Sequence, residues 1–77
     1  MTSQEIRNAI VAGTHRAITY GIKRQRRRYV VQRFHPQHGW LDVSAHGNAV
    51  RLAIKGLPSR HDMVCGLVYD SAAIVGL

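Results

Sequence analysis

Seventy-seven residues with 11 Lys+Arg against 4 Asp+Glu carry a formal charge of +7, and 45% of the chain is apolar. One small domain is expected; chains near this size bury only about 60% of the surface they expose when unfolded, and barrels or doubly wound sheets are excluded by length. No apolar run approaches the roughly 20 residues of a membrane helix, no basic-then-apolar leader opens the chain, and the lone Cys65 cannot close an internal disulfide, so a soluble cytoplasmic protein without a membrane partner is expected.

Thr2-Ser3-Gln4-Glu5 reads as a capping box, in which the Thr2 hydroxyl and the Glu5 carboxylate each accept from a free backbone N–H at a helix start. Ile6, Ala9 and Ile10 then fall at i, i+3, i+4, and Gly13 is placed to end the helix, which gives a helix over 3–12. Running that helix on to Gly21 would keep Gly13 inside it at a cost of about 1 kcal/mol. Ile18, Tyr20 and Ile22 alternate with Thr19 and Gly21, which favours a strand over 16–23 instead.

Residues 29–34 are β-branched and aromatic, His35-Pro36-Gln37-His38-Gly39 is turn chemistry, and Trp40 to Val43 resumes as a strand. Ser44 or Asn48 is placed to cap a second helix with a broad apolar face from Ala49 to Leu57, a polar edge at Arg51 and Lys55, and Gly56 and Pro58 as stops. Met63 to Tyr69 is a continuous apolar run, expected as a central strand buried on both faces. Ser71 to Leu77 is expected either as a short edge strand or as an apolar tail available for a homodimer. The predicted class is α+β: four or five mainly antiparallel strands with two helices, in the order α-β-β-β-α-β(-β).

The charge is local. Arg16, Lys23, Arg24, Arg26, Arg27, Arg28 and Arg33 fall between positions 16 and 33, where no Asp or Glu occurs. Arg7, Arg51, Lys55 and Arg60 balance Glu5, Asp42, Asp62 and Asp70 elsewhere, so one segment holds the whole net charge. Such a patch steers a polyanion toward itself, and arginine suits phosphate because its planar fork donates two hydrogen bonds and stays charged. Tyr20, Tyr29, Phe34 and Trp40 flank the segment as aromatic surfaces for base stacking, with Tyr29 and Trp40 the candidate contacts. The lone Trp40 has two open readings: a cap on the core, or an exposed anchor for a partner.

Other chemistry is weakly represented. Five histidines include His35-x-x-His38, but the other station, His61 with Cys65, requires a thiol to leave an apolar run, so no metal site is expected. Cys65 lacks the electropositive setting of a nucleophile. No phosphate loop, nucleotide fingerprint or serine elbow occurs, so neither catalysis nor a cofactor is expected.

With Tyr20-Gly21-Ile22-Lys23 followed by Arg28-Tyr29-Val30-Val31, the strand-strand-strand-helix layout from 16 to 57 resembles that of the small three-stranded DNA-binding domains of tyrosine recombinases and certain plant transcription factors. In size and simplicity the chain is also similar to small phage accessory proteins, anti-CRISPR inhibitors among them. The signature positions of the DNA-binding families are not present, and the phage proteins share no motif, so no residue role is carried across. The leading expectation is a non-enzymatic module that docks its arginine segment on a nucleic-acid backbone. The alternative is a small inhibitor or adaptor that sets the same patch against an acidic or nucleic-acid-binding surface of a partner protein complex.

Overall fold

Helices and antiparallel strands alternate along the chain in the computed structural model, which describes residues 1–20, 28–44, 47–63 and 66–76. The elements are α1 (Ser3–Ala12), β1 (His15–Tyr20), β2 (Arg28–His35), β3 (Gly39–Val43), α2 (Gly47–Ile54), β4 (Arg60–Asp62), β5 (Gly66–Tyr69) and α3 (Ser71–Val75). The predicted α+β class is the observed one.

The first helix starts and stops as its residues dictate. Thr2 Oγ1 accepts from the Glu5 N–H at 3.2 Å while Glu5 Oε1 accepts from the Thr2 N–H at 3.1 Å. The hydrogen bonds from Thr2, its backbone N–H first, hold the Glu5 carboxyl below its ordinary range. Gly13 closes the helix in the left-handed region at φ 89°, where a side chain is strained, and a Cβ there would also meet Ser71 Oγ at 3.3 Å.

The sheet order is β3-β2-β1-β5-β4, all neighbours antiparallel. Ala17 lies opposite Val31 on one side and Tyr69 on the other, and Val31 lies opposite Val43. Side chains alternate along a strand, so these four share one face. Ile6 and Ile10 of α1 and Val50, Ala53 and Ile54 of α2 join Ala17 and Val31 in the core on that face. Each large side chain fully buried there contributes about 1.5–3 kcal/mol. Arg7 ties the two helices together: its Nη1 donates to the carbonyls of Ala53 at 3.3 Å and Lys55 at 2.8 Å, which the end of α2 leaves without intrahelical partners.

Three expectations change. The strand expected over Met63 to Tyr69 is shorter: Gly66–Tyr69 lies inside the sheet between β1 and β4, Met63 is an exposed turn residue, residues 64 and 65 lie outside the described residues, and β1 takes the centre. Segment 71–77 is not an edge strand; it enters α3 because Asp70, in extended conformation, accepts the Ala73 N–H at 2.9 Å as an N-cap. That helix buries Ala73 and packs Ile74 against the core, leaving Val75 exposed. Asn48 lies inside α2 rather than capping it, and accepts from Arg51 Nη2 at 3.3 Å. Helix α2 begins at Gly47, and residues 45 and 46, between it and the expected Ser44 cap, lie outside the described residues, as does Cys65. No helix among the described residues is long and apolar enough to cross a membrane.

Candidate functional site

Alternation places a second set of side chains on the sheet face away from α1 and α2: Arg16 and Ile18 from β1, Arg28, Val30, Gln32 and Phe34 from β2, and Trp40 and Asp42 from β3. Ile18 and Val68, opposite each other across β1 and β5, are 7% and 0% exposed and stand apart from the core under the helices. Toward β3 the face opens, and Phe34 is 51% exposed.

This half of the face is tied together by register neighbours. Arg16 Nε donates to Gln32 Oε1 at 2.8 Å, and Gln32 Nε2 donates to Asp42 Oδ1 at 2.9 Å. The Arg16 guanidinium lies 4.4 Å from the centroid of the Trp40 ring, within cation–π range. Trp40 in turn meets Phe34, its cross-strand partner, edge to face with centroids 5.4 Å apart and planes at 68°. Trp40 therefore neither caps the helix-side core nor stands free: it is half-buried on the opposite face, held between a cation and a phenyl ring.

Electrostatics follow from where the acids are spent. Glu5 is engaged by Thr2, Asp42 by Gln32, and Asp62 and Asp70 by Arg60 at 3.9 and 2.7 Å. Burial pushes the Asp70 carboxyl up, but the hydrogen bonds from Arg60 and from the Ala73 N–H, with the charges of Arg60 and Arg16, outweigh it and hold the group below 3.8. Arg28 and Arg33 are exposed and make no ion pair among the described residues. Beside Arg33, His15 is held below 6.5, first by burial and then by the Arg33 charge, with its Nδ1 2.9 Å from Thr14 Oγ1.

The expected site residues are thus divided. Arg16, Arg28 and Trp40 share the open face; Tyr29 and Arg33, one position out of phase, point to the helix side. Tyr29 is on the other face from Trp40, partly buried against the core, where it lines a cleft of about 470 Å³ with Arg51, Lys55 and Tyr69. Arg28 and Trp40 also lie at opposite ends of the face, since Phe34, the partner of Trp40, is six residues from Arg28, or about 20 Å along an extended chain. Lys23, Arg24, Arg26 and Arg27 lie outside the described residues; Tyr20 and Arg28, which flank them, are cross-strand partners.

Gln32 and Asp42 are neighbours of Arg16 on this face that composition and charge do not single out; their signal is the parity of β2 and β3. Phe34 borders two open grooves, one of about 470 Å³ with Arg33, His35, Leu41 and Asp42, the other of about 410 Å³ with Gly13, Thr14, His15 and Arg33. His35 organises the β2–β3 turn, its Nδ1 accepting the N–H groups of Gln37 at 3.1 Å and His38 at 3.3 Å. That occupies one of the two ring nitrogens through which a histidine can hold a metal, and among the described residues no group of three or more His, Cys, Asp or Glu converges. No family model matches the chain, and neither a curated protein nor a solved structure matches it.

Proposed function

We propose that the protein is a non-enzymatic binding module that docks a basic surface on a nucleic-acid backbone. Lys23, Arg24, Arg26, Arg27, Arg28 and Arg33 take phosphates, with Arg16 and Trp40 as further contacts. The observation that carries this reading is the disposition of charge: all four acids are engaged within the fold, while Arg28 and Arg33 face solvent without an ion pair among the described residues. Exposed cations that no carboxylate among the described residues pairs with are complementary to a polyanion.

Six phosphate contacts make such binding salt-dependent, by on the order of a thousandfold between about 50 and 200 mM salt. The test is a binding titration against DNA and RNA over a salt series, with the parent and a variant carrying Arg24→Ala, Arg26→Ala, Arg27→Ala and Arg28→Ala. The variant is expected to bind at least about tenfold more weakly at about 100 mM salt, with the slope of log Kd against log salt reduced by about 3 to 4. Equal affinity for the two proteins overturns the proposal.

A further inference from the structure

We infer that the β2–β3 end of the open sheet face is a seat for an unpaired nucleobase, so that the nucleic acid bound is single-stranded, with a base stacked on Phe34 and the backbone running toward Arg28 on the same face. This rests on the polyanion reading above and adds to it the strand state of the ligand. Among the described side chains, Phe34 is the aromatic ring of the face with an open surface: half of it is exposed, and its contact with Trp40 is edge to face, which leaves a ring plane uncovered by that neighbour. Trp40, by contrast, has a face occupied by Arg16.

Arg28 and Arg16 stand on the same face as Phe34, so a strand laid along β2 meets an aromatic surface and guanidinium groups together, while Arg33 leaves β2 on the opposite side. The support behind Phe34 is already assembled, because the chain from Asp42 through Gln32 and Arg16 to Trp40 fixes the ring against which Phe34 leans. A base inside a duplex has both faces stacked and cannot present one to Phe34; an unpaired base can, and stacking does not depend on its identity. The span of about 20 Å from Arg28 to Phe34 suits a strand of roughly four nucleotides or more, the lower end of site sizes on sheet platforms.

The probes are a short mixed-sequence DNA strand, the RNA of the same sequence and the duplex of each, measured at one fixed salt concentration. The tighter of the two single strands is expected to bind at least about tenfold better than either duplex. Phe34→Leu, which keeps apolar bulk but removes the ring, is expected to weaken single-strand binding by about tenfold and duplex binding by less than about twofold, while Phe34→Tyr restores it. Fluorescence of the lone Trp40 is expected to change on adding single strands and to lose that response in Phe34→Leu. Circular dichroism of both variants separates loss of stacking from loss of fold. Duplex binding as tight as single-strand binding, or unchanged affinity in a folded Phe34→Leu variant, overturns the inference while leaving salt-dependent docking intact. Loss of the docking proposal itself is recognised separately, by insensitivity to the four arginine substitutions.

Discussion

Thr19 is the residue whose environment contradicts its chemistry. It is 2% exposed on the helix-covered face, between Tyr29 and Leu67, and its hydroxyl has no hydrogen-bond partner among the described residues. A buried unpaired hydroxyl costs about 1–3 kcal/mol, whereas the near-isosteric valine carries no such penalty and suits a strand better. Thr19→Val is therefore expected to stabilise the protein by about 1 kcal/mol, read as a higher urea midpoint at unchanged slope. A lowered midpoint would show instead that the hydroxyl is satisfied. Residues acting on their near neighbours were the ones legible in the sequence: Thr2 with Glu5 and Gly13 act within a few positions of themselves and stand where the local pattern puts them. Thr19 was not legible, because its cost comes from what covers it.

Among elements, the hairpin of β2 and β3 was readable from its turn chemistry and alternation, and α1 from its caps. Parity then determines most of the candidate site, since one residue of phase separates Trp40 and Arg16 from Tyr29 and Arg33. Counting charges and aromatic rings along the chain does not register that difference. The last helix escaped for a related reason: Asp70 preceding Ser71-Ala72-Ala73 is a helix-capping signal masked by the apolar run around it. Asp70 also anchors β4, because Arg60 donates to both of its oxygens, at 2.7 to 3.2 Å.

Asp70→Asn keeps a good N-cap but removes the charge opposite Arg60. With Arg60 partly in solvent, the expected loss is about 1 kcal/mol at neutral pH. The parent carboxyl is depressed below 3.8, so its contribution is complete above that ordinary value and disappears as pH falls through the folded-state value. Urea unfolding at a series of pH values is expected to show the parent and Asp70→Asn converging below pH 3.8. A gap that stays constant with pH would assign the effect to packing instead.

For the whole molecule, the net charge is +7, and each of the four carboxylates is engaged by a partner among the described residues. The sheet order has a different consequence, which concerns time. β1 pairs with β2 across a short connection, Tyr20 to Arg28, but with β5 across most of the chain, Ala17 to Tyr69. Closing the longer loop costs about 1.5 kcal/mol more in chain entropy, so the β1–β5 ladder is expected to assemble after the β1–β2–β3 meander. In stopped-flow kinetics, Val68→Ala is then expected to speed unfolding with little change in the folding rate, and Val31→Ala to slow folding; the reverse assignment would place β5 in the nucleus. The strand at the centre of the finished sheet thus spends the folding reaction as an edge, exposing the backbone of residues 17–19 to any other chain that arrives before β5 does.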